Sequence, residues 1–284
     1  MESVGPAGWY EHIELSPDAS RAAVDRRDVR SGRSDIYRLD LRDTNPSRFT
    51  LQPARLFQYA RWSPDGQRLV FAGAGPSGLY VKPSTGAGNE ELVHEATDGA
   101  LVFPSDWSPD GKFVVFRKLL PGTLGALWTL SLDDHKSVAL PQAENRGTNG
   151  RFSPNGRWLA FQSSETGRPE VYVQSFPPTA GKWLVSRDGG VRPRWRRDGK
   201  ELYYITSTGT SPGGSLIAVA VMDGNTWRTG TQTRLFDIRS GTTAVNTYPY
   251  DVAPDGQRFL VITPPEEAEA PITIVLNWEA ALRK

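Results

Sequence analysis

The stretch Trp62-Ser63-Pro64-Asp65-Gly66 reverses the chain between two short apolar segments, and close variants of it recur along the whole sequence. Proline presets φ at the first central position, aspartate accepts from nearby backbone N–H groups, and glycine takes the left-handed position. The copies are Ser16-Pro17-Asp18-Ala19, Ser63-Pro64-Asp65-Gly66, Ser108-Pro109-Asp110-Gly111, Ser153-Pro154-Asn155-Gly156, Arg196-Arg197-Asp198-Gly199 and Ala253-Pro254-Asp255-Gly256. Their third residues stand 47, 45, 45, 43 and 57 positions apart. Repeats of roughly 40 to 45 residues with four strands each are typical of propeller blades.

Strand-forming segments follow each turn in the same order. A third strand recurs, for example, as Leu79-Tyr80-Val81-Lys82 and Leu127-Trp128-Thr129-Leu130, with the β-branched and aromatic residues that favour strands. The sequence therefore predicts an all-β fold, a six-bladed β-propeller of four-stranded antiparallel blades. We expect one domain over residues 1–284, with repeats beginning near residues 9, 58, 103, 148, 191 and 248.

The two ends of the chain raise the question of how the ring closes. The sixth repeat runs out of chain soon after its third strand, and the tail, 278–284, favours a short C-terminal helix. Residues before Trp9 are the candidates for the missing outer strand. Gly5, Pro6 and Gly8 among them are poor strand formers, so we expect either a loose closure or a domain that is a fragment of a larger protein.

Composition narrows the classes of function. Lys and Arg number 33 against 32 for Asp and Glu. The chain therefore has almost no net charge to attract a polyanion, and we expect no nucleic-acid partner. No stretch approaches eighteen apolar residues, which predicts no membrane insertion. The chain has no cysteine, and its first residues lack the basic and apolar regions of a signal peptide, so none is expected. As written it is expected to be cytoplasmic, or periplasmic if it belongs to a larger exported protein.

Aligning the six turns reveals a ring of charges. The residue just before each turn is apolar, and the residue before that is charged in all six copies: Glu14, Arg61, Asp106, Arg151, Arg194 and Asp251. Because the first strand of a blade is innermost, these side chains should lie near the central channel. Nearly alternating signs favour ion pairs between neighbouring blades. The three carboxylates are also candidate ligands for a channel-bound Ca²⁺, although three arginines dilute them and no cofactor is expected.

Further candidates lie on the segments that enter the innermost strands. His12 precedes Glu14, and is either a lone surface histidine or part of the channel mouth; no histidine has a metal-ligand spacing to another. Tyr59, Tyr248 and Tyr250 are aromatic side chains of the kind enriched at binding surfaces. The alternative is that they pack against each other at the rim.

The turns with their following strands resemble TolB-type, WD-like propeller repeats, and the resemblance covers all six copies. Trp62 to Gly66 and Trp107 to Gly111 match the W-S-P-D-G pattern in full. The second half, with Gly156-Arg157-Trp158-Leu159-Ala160-Phe161 and Val275-Leu276-Asn277-Trp278, looks like the C-terminal propeller of many bacterial serine/threonine protein kinases. The kinase motifs themselves are absent from the sequence. Both resemblances imply binding rather than catalysis.

We therefore predict a non-catalytic binding or scaffold module for a protein or peptide partner, the sensor portion of a larger bacterial signalling protein. One alternative is a propeller enzyme, a lyase or hydrolase with a carboxylate and metal site at the channel mouth. Another is the non-catalytic propeller of a peptidase. Because a propeller hosts many functions, tightly bound calcium or manganese in the purified protein would favour the enzyme.

Overall fold

The computed structural model describes residues 2–28, 30–42, 45–51, 56–141, 146–179, 181–207, 213–222, 224, 226–239, 246–263 and 272–276. Within them, 24 strands form four-stranded antiparallel sheets, and no α-helix is present. In this described part of the chain no helix is long and apolar enough to cross a bilayer. The prediction of an all-β propeller with four-stranded antiparallel blades is confirmed. The expected helix at 278–284 lies outside the described residues.

Five sheets each take four consecutive strands, ordered from the channel outwards. They are β2 to β5 (Trp9–Leu15, Arg21–Arg27, Ser34–Asp40, Ser47–Arg48), β6 to β9 (Leu56–Trp62, Arg68–Ala74, Gly78–Pro83, Glu91–Glu95), β10 to β13 (Leu101–Trp107, Phe113–Leu119, Ala126–Ser131, Ser137–Ala139), β14 to β17 (Gly147–Phe152, Trp158–Ser163, Glu170–Ser175, Lys182–Leu184) and β18 to β21 (Val191–Trp195, Glu201–Ile205, Gly214–Val221, Thr229–Ile238).

The last sheet takes its outer strand from the N-terminal residues that the sequence indicated as candidates. The last repeat supplies three strands, β22 (Tyr250–Val252), β23 (Arg258–Ile262) and β24 (Ile272–Leu276), and the N-terminal strand β1 (Glu2–Val4) completes this sheet. β1 is antiparallel to β24, with Val4 opposite Ile272. Gly5, Pro6 and Gly8 lie in the connection between β1 and β2, so these strand breakers fall outside the paired segment.

Buried apolar clusters join each sheet to the next around the ring. The cluster of Val4, Ile13 and Leu260 lies between the last sheet and the first. The backbone N–H of Ile13 also donates to the carbonyl of Tyr248 at 3.1 Å. Apolar burial between faces of adjacent sheets is the main favourable contribution in such a fold, and here it extends across the junction of the chain ends.

The repeated turns form a collar at one end of the channel. In the second turn the Asp65 carboxylate accepts from the Ser63 hydroxyl and, at 2.9 Å, from the backbone N–H of Gln67. The equivalent serine bond in the first turn lowers the pKa of Asp18 to about 2. Gly66 has φ +69° and lies against the proline ring of the preceding turn. The turn sequence thus satisfies backbone geometry and packing between turns.

Candidate functional site: the channel and its mouth

Glu14 is the hub of the charge ring. Its carboxylate meets arginines of other sheets: Arg151 contacts both oxygens at 2.9 Å and Arg194 contacts one at 2.8 Å. Arg61 approaches to 3.6 Å. All four side chains are at least nine-tenths buried. Burial raises the pKa of Glu14, but the charges of the three arginines hold that pKa well below its usual range.

Asp106 and Asp251 pair with arginines of the neighbouring sheets. Asp106 lies 3.4 Å from Arg151, and Asp251 lies 2.9 Å from Arg194. Each carboxylate also accepts a backbone N–H from the next sheet. Burial raises the pKa of Asp106, and that of Asp251 to about 6, against the opposing charge of the adjacent arginine. The predicted pairs between neighbouring blades are therefore present, together with contacts of Glu14 across the channel.

Tyr248 fills the channel directly beside this network. It is fully buried, and the guanidinium carbons of Arg151 and Arg194 lie 4.3 and 4.4 Å from its ring centre. Its hydroxyl is within hydrogen-bond distance of the carbonyls of Asn149 (3.1 Å) and Pro193 (3.3 Å). Cation–π contacts strengthen when they are desolvated. The channel is closed at this level rather than open from end to end.

His12 lies in the same closed region. Its Nδ1 accepts from the backbone N–H of Tyr248 at 3.0 Å, and its Nε2 faces Nη1 of Arg61. Protonation would place N–H groups against N–H groups. Burial and the charge of Arg61 lower the pKa of His12 well below its usual value, so the ring is neutral. The expectation of a surface histidine was wrong, because the side chain is fully buried.

Tyr59, Asn149 and Arg192 have positive φ values of 62°, 56° and 56° on the inner strands. Register shifts mark each site as a β-bulge. The carbonyl of Arg192 accepts from the hydroxyl of Tyr250 at 2.9 Å, as the carbonyl of Asn149 does from Tyr248. The bulges therefore aim backbone groups inward. Tyr250 is fully buried and Tyr59 is half-buried, so these tyrosines belong to the closed end.

Asp25 is a buried acid that the sequence pattern did not single out. Its Oδ2 accepts from the backbone N–H of Tyr59 at 2.8 Å. Its Oδ1 has no hydrogen-bond partner among the described residues. Burial raises the pKa of this carboxyl to about 7. Asp25 is therefore largely protonated below neutral pH.

The opposite end of the channel opens into a cavity of about 400 Å³, which we call the cup. All six sheets contribute to its lining. Trp62, Trp107 and Trp195 form part of the wall, and Glu14 and Arg151 lie at the floor. A smaller cavity of about 290 Å³, the side groove, continues from the cup between the first and second turns. Of the predicted site residues, Glu14, Asp106, Arg151, Arg194 and Asp251 line the cup, whereas Arg61, His12, Tyr59, Tyr248 and Tyr250 do not.

Sequence reasoning also missed Arg197, which lines both the cup and the side groove. The available signal was the replacement of Ser-Pro by Arg196-Arg197 in the fifth turn. Within the described residues, no group of three or more His, Cys, Asp or Glu side chains is arranged to hold a metal ion. The oxygens of the channel carboxylates instead face arginines and backbone N–H groups.

Parts of the chain are similar in sequence to known bacterial proteins. No family model matches the chain. An uncharacterized protein of Agrobacterium fabrum is 26% identical over 207 residues, covering 70% of this chain and 67% of that protein. The Tol-Pal system protein TolB of Francisella tularensis is 25% identical over 99 residues, 34% of this chain. The match spans 22% of the length of that TolB.

Solved structures extend the likeness to almost the whole chain. A proposed TolB from Agrobacterium tumefaciens superposes with a TM-score of 0.71 at 22% identity, covering 94% of this chain and 91% of that one. TolB from Acinetobacter baumannii gives 0.72 at 19% identity, covering 93% of this chain and 63% of that one. The fold is a TolB-like β-propeller. An oligogalacturonate lyase in complex with manganese shares it at a TM-score of 0.60 and 16% identity, over 95% of this chain and 90% of the lyase.

Proposed function

We propose that this chain is a non-catalytic binding module whose cup receives a segment of a protein or peptide partner. The observation that carries the proposal is the cup itself, which takes lining residues from all six sheets. Aromatic side chains supply contact area at binding surfaces. The polar groups of the floor are already paired with each other, so the site offers a shaped and rigid surface rather than a free base or nucleophile.

The TolB-like fold supports a binding or scaffold role. We further propose that residues 1–284 form one domain and that the six sheets are six blades of a closed ring. The role as sensor portion of a larger bacterial signalling protein, by likeness to kinase-associated propellers, stays a prediction.

The alternative of a propeller enzyme draws on the shared fold of the lyase. Catalysis through a hard cation needs several open carboxylate oxygens. Glu14 is instead held by three arginines, and Asp106 and Asp251 each accept a backbone N–H as well as an arginine. The arrangement therefore favours binding over metal chemistry.

Site-specific photo-crosslinking in the source cell tests the proposal. p-Benzoylphenylalanine replaces Pro109 on the cup, and in a separate variant it replaces Val138, an exposed residue of β13. We expect a discrete protein adduct from position 109 and none from position 138. Leu15→Trp should abolish the adduct at 109, since it adds a fourth tryptophan to the cup wall.

Leu124→Trp is the matched control, because Leu124 is exposed and does not line the cup. Thermal unfolding of both tryptophan variants establishes that they fold. The same adducts from positions 109 and 138, or an adduct that survives Leu15→Trp in a folded protein, would refute binding through the cup.

A further inference from the structure

Arg197 breaks the pattern of the turn collar. Five turns carry proline at this position, namely Pro17, Pro64, Pro109, Pro154 and Pro254, and the fifth turn carries arginine. The Arg197 side chain is exposed, and its Nη1 donates to the carbonyl of Pro17 in the first turn. The sixth turn lies between these two around the ring. The side chain therefore spans part of the cup mouth, where the cup and the side groove meet.

The charge of Arg197 has no carboxylate partner among the described residues. Its neighbour Arg196 pairs with Asp198 at 3.3 Å and with Glu201 at 3.1 Å. Arg197 makes one described hydrogen bond, to a neutral carbonyl. A guanidinium presents five N–H donors in a fork that matches a carboxylate. The Arg197 side chain can therefore exchange its hydrogen bond to the neutral Pro17 carbonyl for a bond to a carboxylate.

The other charged side chains that line the cup lie below Arg197 and already pair with each other. Arg61, Arg151 and Arg194 pair with Glu14, Asp106 and Asp251, so three cations balance three carboxylates without Arg197. An incoming anion meets the uncommitted guanidinium first, whereas an incoming cation is repelled by it. Charges at the rim of an interface act mainly on partner choice and association rate.

We propose that Arg197 determines the specificity of the cup by binding a carboxylate, an Asp or Glu side chain of the partner peptide. The guanidinium leaves the Pro17 carbonyl, opens the mouth and pairs with the acid, while the flanking peptide follows the side groove between the first and second turns. This inference rests on the proposed function and adds the chemical class of the partner segment.

Peptide pools test it. Acetylated and amidated pentapeptides carry Glu, Gln or Lys at the centre and random residues elsewhere, and their retention on the immobilised full chain is measured. We expect wild type to retain the Glu pool about three- to tenfold better than the Gln pool, the range of a surface to bidentate ion pair. Arg197→Pro should remove that preference, and Arg197→Glu should shift it to the Lys pool.

Controls separate this charge from general electrostatics and from misfolding. Lys112→Gln removes an exposed charge from the same face without touching either cavity, and it should keep the Glu preference. Arg197→Pro restores the residue of the other five turns, and Arg197→Gln replaces it if the proline variant has a lower melting temperature.

The outcomes distinguish the two proposals. Equal retention of the Glu and Gln pools by wild type, or a Glu preference that persists without Arg197, overturns the inference. If retention is then still abolished by Leu15→Trp, binding through the cup stands. If wild type retains none of the pools, the inference fails. The proposed function fails as well if the photo-adducts are also insensitive to Leu15→Trp.

Discussion

The two ends of the channel are built from the same six inner strands and differ in nearly every physical property. At the turn end lies the cup, about 400 Å³ in volume, with tryptophans in its wall. At the other end Tyr248 and His12 are fully buried, and three inner strands carry positive φ values at Tyr59, Asn149 and Arg192. The repeated strands therefore supply a scaffold, and side chains such as Tyr248 and His12 determine which end of the channel is closed.

The charge ring lies between the two ends, and most of its charges are buried like the side chains of the closed end. A buried charge that loses its partner costs far more than an exposed one, because neither water nor another side chain replaces the lost contact. Substitutions of the most buried ring charges, such as Glu14, and of groups below the ring should therefore change stability strongly. Substitutions in the turns should change it little, and those at the cup mouth should change binding.

Glu14→Gln should have the largest effect. It removes the charge that faces three buried arginines while keeping the shape of the side chain, and we expect a loss of about 3 to 5 kcal/mol in the free energy of unfolding. Asp106→Asn is the matched comparison, because this side chain is more exposed (19%) and asparagine retains an oxygen for the N–H of Phe152. It should lose less than about 1 kcal/mol. Equal losses of unfolding free energy in urea would show that Glu14 contributes no more to stability than Asp106 does.

Asp25 predicts a pH dependence at the closed end. The carboxyl has a pKa of about 7 in the folded protein and about 4 in the unfolded chain. Between these values the folded state holds a proton that the unfolded state releases, so its contribution to stability decreases as the pH rises from 4 to 7. Asp25→Asn lacks this change. Its stability relative to wild type should rise across that window by about 3 to 4 kcal/mol and then level off.

Urea unfolding of both proteins at several pH values between 4.5 and 8 measures this difference. Contributions from His12 and Asp251 are common to both proteins and cancel in the comparison. Parallel stability curves would mean that Asp25 titrates alike in the folded and unfolded states.

Tyr248→Phe probes the closed end without changing its packing. Loss of the hydroxyl removes the hydrogen-bond donor that faces the buried carbonyls of Asn149 and Pro193, and we expect a loss of about 1 to 2 kcal/mol. Tyr10→Phe is the control, since the Tyr10 hydroxyl donates to the carbonyl of Pro6 at a partly buried position. A larger loss for Tyr10→Phe in the same unfolding assay would contradict the assignment of Tyr248 as the stabilising element.

Sequence alone predicted what is encoded locally. The turn spacing predicted four-stranded antiparallel blades, and the position two residues before each turn predicted the charges of the channel, because strand alternation fixes which side chains face inward. The contact of Glu14 with Arg151 joins residues 137 positions apart, and no local pattern indicates which partners meet across an axis. The burial of His12 and the closure by Tyr248 depend on the same convergence of six strands.

The smallest predicted effect lies in the turns of the open end. Ala19 has φ +53° where the five other turns place glycine at +69° to +74°, and a left-handed conformation costs a residue with a Cβ about 1 kcal/mol. Ala19→Gly relieves this cost but increases the entropy of the unfolded chain, so a gain of about 0.5 kcal/mol is expected. Gly111→Ala is the converse: a Cβ there meets nothing within 4 Å, and the loss of about 1 kcal/mol comes from the backbone alone. Changes in the unfolding midpoint of the same sign for both variants would show that packing within the collar, rather than φ, determines the stability of the open end.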